Sequence, residues 1–140
     1  ECVYGTDYFP SEFVRDGSYT RADQVVAYLS ENTDLKIVYP KAELLRMIEK
    51  YPQYNFYYKT DTHWNELGAY VGARELLKAL DVSIPQLNAV EISQKNPYSG
   101  DLANMMGLSD YLKYDSYGTK KDNFVGSAML GNIKHTSRGH

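Results

Sequence analysis

YNFYYKTDTHWNELGAYVGARELLKAL, Tyr54 to Leu80, is the stretch on which the reading of this chain turns. Its first six residues, Tyr54 to Lys59, are rich in aromatics, the composition of a β-strand. Its last fifteen, Glu66 to Leu80, read as a helix in which Gly68 with Gly72 and Ala69 with Ala73 repeat small residues at i and i+4. One helix face can therefore approach a sheet closely. Two glycines inside a helix cost about 1 kcal/mol each against alanine, so a packing reason for them is expected. Between strand and helix lies KTDTHWN, Lys59 to Asn65, a loop carrying an acid two residues before a histidine.

Upstream, the pattern repeats. Thr20 is an acceptable N-cap for RADQVVAYLSEN, which places Ala22, Val25, Val26 and Leu29 on one face and should end near Asn32. Leu35 to Tyr39 is a short β-branched run closed by Pro40, the pattern of a strand leading into a helix that starts with proline. That helix, PKAELLRMIEKY, presents Leu44, Leu45, Met47 and Ile48 and stops before Pro52. Helix, strand, helix and strand thus alternate, which argues for an α/β domain with a mainly parallel sheet. Ligands of such sheets bind beyond the carboxyl ends of strands, where KTDTHWN is expected to lie.

Residues 1–19 show neither periodicity and read as loop. After Leu80 an edge strand is expected at Ala89 to Ser93, then a short helix from Asp101 to Met106 stopped by Gly107. An extended candidate follows at Asn123 to Leu130. At 140 residues the chain has room for one domain with one core, and it shows no repeat or linker.

The composition excludes several classes of function. Fifteen basic against eighteen acidic residues leave a net charge of −3, too small and too dispersed to imply nucleic acid or an anionic membrane as partner. Cys2 is the only cysteine, so neither an internal disulfide nor a cysteine metal cluster can form. No apolar run approaches the roughly 20 residues of a membrane span. A signal or anchor, if the protein is exported, is expected outside these residues. Fourteen tyrosines against four phenylalanines suit carbohydrate-facing or surface-exposed loops, and equally a tyrosine-rich surface protein.

Asp61 and His63 are the candidate catalytic residues. A histidine serves as general base when a carboxylate holds one ring nitrogen and leaves the other for a hydroxyl nucleophile. In an extended loop, residues i and i+2 project to the same side, so Asp61 can reach the ring; the same carboxylate could equally cap a helix. Trp64 would wall the site, Asn65 or Thr62 can cap the helix that follows, and Tyr58, Trp64 and Asn65 are the candidate substrate-binding residues. Asp61, His63 and Glu66 make a poor metal site, because zinc takes three or four protein ligands and no second histidine is suitably spaced. No metal or cofactor is expected. His135 and His140 read as solvated, Asp101 as the cap of its short helix, and Met105 and Met106 as core filler. Tyr51, Tyr54, Phe56, Tyr57 and Tyr58 read as a strand with one wet face more than as a sugar platform.

Tyr57 to Leu80 resembles the central block of the alginate acetyltransferase group of SGNH-hydrolase-like proteins, the AlgX and AlgJ type with related DHHW-motif proteins. In that group an aromatic strand runs into an Asp-x-His-Trp turn and then a Gly-Ala-containing helix. Val3 to Pro10, Leu35 to Leu44 and Ser99 to Leu108 echo it more weakly, so the resemblance covers roughly residues 1–112. It implies a flavodoxin-like, three-layer SGNH-hydrolase fold, with Asp61 as orienting acid and His63 as base of a Ser-His-Asp triad. The implied reaction is O-acetyl transfer or removal on a cell-envelope or secreted glycan through an acetyl-serine. The family's serine follows the Asp-His block in a Gly-Asp-Ser or Asp-Ser-Phe segment, which is missing here. Ser127 and Ser137 are the late serines nearest that description, and neither matches. The chain is therefore expected to be an incomplete domain that stops before the serine, carries two thirds of a triad and is inactive alone.

The partners implied are a polysaccharide, an acetyl donor and a membrane-bound acyl-transfer protein, in the periplasm or at the cell surface. A sheet lacking neighbours would also favour a homodimer. The competing reading is a non-catalytic carbohydrate-binding or scaffolding module of a bacterial surface protein that uses its tyrosines.

Overall fold

The computed structural model describes residues 19–82, 86–87 and 91–120. In chain order these form α1 (Arg21–Asn32), α2 (Lys41–Lys50), α3 (Glu66–Ala79), β1 (Ile92–Tyr98), α4 (Asp101–Met105) and β2 (Tyr114–Thr119). The expected loop at 1–19, apart from Tyr19, lies outside the described residues, as do Asn123 to Leu130.

All four helices stand where capping and periodicity place them. α1 opens with a capping box: the Thr20 hydroxyl accepts from the Asp23 amide at 3.1 Å, and Asp23 accepts from the Thr20 amide at 2.7 Å. Lys41 binds the same Asp23 oxygen at 2.6 Å and ties α1 to the start of α2. The apolar face of α1 is nevertheless unburied. Ala22 and Val25 are exposed, Val26 and Leu29 half-buried, because no described element packs over them. α2 buries Leu44 and Met47. Gly107 ends the α4 turn at φ +69°, a left-handed conformation that suits glycine.

The strands depart from expectation. Leu35 to Tyr39 forms no strand, since no described segment pairs with it. Tyr54 to Lys59 is not a strand of a parallel sheet either: the chain reverses on itself. The Asn65 amide donates to Phe56 O at 3.1 Å and the Tyr58 amide to His63 O at 3.2 Å, on either side of a single bridge between Tyr57 and Trp64. KTDTHWN is thus the tip and returning arm of a small hairpin that feeds α3. Among the described residues the only sheet is β1 with β2, antiparallel, pairing Ile92 with Thr119 and Lys95 with Ser116 before the register slips ahead of Tyr98–Tyr114. β1 starts three residues into the expected edge strand and runs five beyond it.

Phe56, fully buried on the outgoing arm, joins Leu44 and Met47 of α2, Leu67, Tyr70 and Val71 of α3, and Leu87 to form the core. The α3 glycines have their packing reason here, against the hairpin and not a sheet. A Cβ on Gly68 would lie 2.2 Å from Phe56 O and 2.7 Å from Trp64 Cβ; one on Gly72 would lie 3.0 Å from the Trp64 ring. Met105 and Met106 do not fill the core: they are 84% and 66% exposed, since α4 buries only Ala103.

Candidate functional site

The hairpin enters α3 through Asn65. Its extended backbone and short amide suit an N-cap, and its Oδ1 accepts from the Leu67 and Gly68 amides at 3.0 and 3.1 Å. Its Nδ2 donates to Asn55 O at 2.6 Å, so one side chain, 2% exposed, joins helix start to hairpin base. Asn65 thus bears on the site by setting where the hairpin stands.

The tip, Thr60 to His63, is gripped by the turn that joins β1 to α4. The Gly100 amide donates to Thr60 Oγ1 at 3.0 Å and the Leu102 amide to Thr60 O at 3.0 Å. Only glycine permits this approach, because a Cβ on Gly100 would sit 2.4 Å from both Asp61 Cβ and Thr60 O. Asp101 departs from its expected capping role. Its Oδ1 accepts from the Thr62 amide at 3.0 Å and its Oδ2 from the Thr62 hydroxyl at 2.7 Å, so it fastens the tip to α4.

Asp61 and His63 are brought together at the centre of this arrangement. Asp61 Oδ1 lies 2.5 Å from His63 Nδ1 and accepts from the His63 amide at 2.9 Å. Its Oδ2 accepts from the Tyr98 hydroxyl at 2.8 Å and the Asp101 amide at 3.3 Å. The Asp61 side chain is 5% exposed and the His63 side chain 72% exposed. Burial alone would raise the Asp61 carboxyl, but the hydrogen bonds from His63, Tyr98 and the backbone outweigh it and hold the group well below the usual carboxylate range. The same hydrogen bond, reinforced by the Asp61 charge, raises His63 above its ordinary 6.5. With Nδ1–H given to the carboxylate, Nε2 keeps its lone pair on an open ring, the form a general base needs.

Tyr58 and Tyr98 stack beside the pair with ring centroids 4.2 Å apart. Burial raises the Tyr58 phenol, and Glu66 and Asp61 push it the same way. Trp64 lies with its indole on Gly72 and remains 42% exposed. Asp61, His63 and Asp101 offer donor atoms within 4.8 Å of one another, yet those atoms are engaged with each other, Tyr98 and Thr62. Of the hydroxyls in the described residues, that of Thr62 approaches His63, at 3.4 Å from Nδ1. Ser127 and Ser137 lie outside the described residues. Tyr98 escaped the sequence reading, and Asp101 was read only as a helix cap, because they stand 37 to 40 positions from the residues they hold. The weaker family echo at Ser99 to Leu108, which contains Gly100, Asp101 and Leu102, was the available signal.

A carboxylate-held imidazole thus stands on an ordered turn, set before a helix and beside stacked aromatics. A family model described as the SGNH hydrolase-like domain of the acetyltransferase AlgX matches residues 8–127, and the chain belongs to that family. Searches among curated proteins and among solved structures found no match.

Proposed function

We propose that the chain supplies the acid and base for O-acetyl transfer, or acetyl-ester hydrolysis, on a secreted or cell-envelope glycan. The observation that carries this is the 2.5 Å contact between Asp61 and His63 Nδ1 on an open ring, within a family named for an acetyltransferase. In this reading His63 Nε2 takes the proton of a serine hydroxyl as the oxygen attacks the acetyl carbonyl, and Asp61 stabilises the imidazolium. His63 then returns that proton to the leaving group. The acetyl-serine passes its acyl group to a sugar hydroxyl or to water. The serine belongs to a segment outside the described residues, and the mainly parallel, three-layer sheet of the SGNH fold belongs to this same proposal. Tyr58 and Trp64 line the approach of the sugar, with Asn65 fixing the hairpin beneath them. An acetyl donor, and a membrane-bound protein that delivers it, are the partners that fit. A periplasmic or cell-surface location follows from the substrate, and no helix of the described residues is long and apolar enough to cross a membrane.

The test is acetate release by the intact protein from p-nitrophenyl acetate and from an acetylated polysaccharide. His63→Ala should cut turnover about a hundredfold or more while glycan binding persists. Unchanged turnover removes His63 from the mechanism, and no acetate release by the intact wild type leaves a carbohydrate-binding module.

A further inference from the structure

The two oxygens of Asp61 have separate employers. Oδ1 serves His63 through both amide and ring, while Oδ2 is held by the Tyr98 hydroxyl and the Asp101 amide. A carboxylate turns readily about its last torsion, so the imidazole alone cannot fix which oxygen it meets. We infer that Tyr98 is a positioning residue for the acid–base pair: its hydroxyl pins Oδ2 and thereby keeps Oδ1 turned toward His63. The inference rests on the reading of His63 as base.

The surroundings are built for that contact. The β1–β2 register slips between Lys95 and Tyr98, a local irregularity of the kind that re-aims a side chain at the end of a ladder. The Tyr98 ring is then held against Tyr58, so the hydroxyl is delivered by a side chain that is itself packed. Gly100, two residues on, lets the segment come within a Cβ's width of Asp61.

Other titratable groups face the pair from each neighbouring element. Tyr58 comes from the hairpin itself. Asp101 comes from α4, with its Oδ2 4.0 Å from His63 Nδ1. Glu66 of α3 is paired with Lys95 of β1 at 3.2 Å. Asp101 shares its carboxylate with Thr62, which leaves Tyr98 as the side-chain donor to Asp61 Oδ2.

The experiment is an NMR titration of the His63 ring in the full chain, comparing wild type, Tyr98→Phe and Asp61→Asn. Phenylalanine keeps the ring that stacks on Tyr58 and deletes only the hydroxyl. In Tyr98→Phe the His63 midpoint should fall part of the way toward that of Asp61→Asn, with proton affinity about two- to tenfold lower, because an unpinned carboxylate meets the ring less often, and the pH–rate profile of ester hydrolysis by the intact protein should move acid by the same amount. In Asp61→Asn the midpoint should fall. A midpoint unmoved or raised in Tyr98→Phe overturns the role of Tyr98. A midpoint unmoved in Asp61→Asn refutes the pair itself, a separate failure. If Tyr98→Phe does not fold, the Tyr98 phenol of the wild type is titrated instead. Asp61 raises that phenol above its ordinary 10.0, and Asp61→Asn should bring it down; no change overturns the contact.

Discussion

Replacing Asn65 by alanine should be among the most damaging single changes that leave the core untouched. Asn65 accepts from two amides at the start of α3 and donates to the carbonyl of Asn55, all in a place 2% exposed. Loss of an N-cap costs about 0.5–2 kcal/mol. Stranding a poorly solvated carbonyl adds about 1–3 kcal/mol, toward the lower end here because Asn55 is half-buried. The sum, about 1.5–4 kcal/mol, is a large share of the roughly 5–15 kcal/mol that stabilises an ordinary domain. At this chain length it corresponds to a fall in Tm of roughly 6–15 °C. Urea unfolding followed by the emission of Trp64, the single tryptophan, would measure it. Asn65→Asp keeps the acceptor and loses the donor, so it should fall between wild type and Asn65→Ala. A loss below about 0.5 kcal/mol for the alanine, or an aspartate as damaging as the alanine, would refute a side chain that works at both ends.

Gly68→Ala should lower the urea midpoint, although alanine in an open helix would gain about 1 kcal/mol, because the new methyl meets Phe56 O at 2.2 Å. A more stable variant would show that the hairpin can retreat from α3. Acid should destabilise the fold through Asp23 and Asp61, both held below their ordinary 3.8. Their contribution is complete above 3.8 and is lost as pH falls through the lowered folded values. His63 acts in the opposite sense: its contribution is complete below 6.5 and disappears as pH rises through its elevated folded value. Tm against pH for wild type and Asp61→Asn checks both, and the variant should be flatter at each end. An Asp61→Asn curve that parallels wild type would count against the pairing.

The helices were legible in the sequence because their signals are local: Thr20, Pro40, Asn65, and the stop at Gly107. The strands were not. Leu35 to Tyr39 has the residues of a strand but finds no partner among the described residues, and β propensity means little without one. Tyr54 to Lys59 has strand composition, yet the main-chain bonds from Phe56 to Asn65 and from Tyr58 to His63 turn it into a hairpin arm. No strand was expected at Tyr114 to Thr119, because YDSYGT offers one β-branched residue in six and its pairing with β1 is a long-range fact. The site divides the same way. Asp61 with His63 was suggested by spacing together with the family resemblance, whereas Tyr98, Gly100 and Asp101 reach it only by tertiary closure. Met105 and Met106 misled because apolar character does not say whether a five-residue helix has anything to bury itself against.

The grip of the β1–α4 turn on the hairpin tip has a consequence for timing. An acid two residues from a histidine exists in every unfolded copy of this chain, but the ordered pair exists only once Thr60 to Thr62 has met Tyr98 to Leu102. Bonds that span 37 to 40 positions carry a loop-closure cost that local turns escape, so they belong to the later steps of folding. The fixed Asp61–His63 pair is therefore ordered late, and a partly folded chain holds the two side chains in no set arrangement.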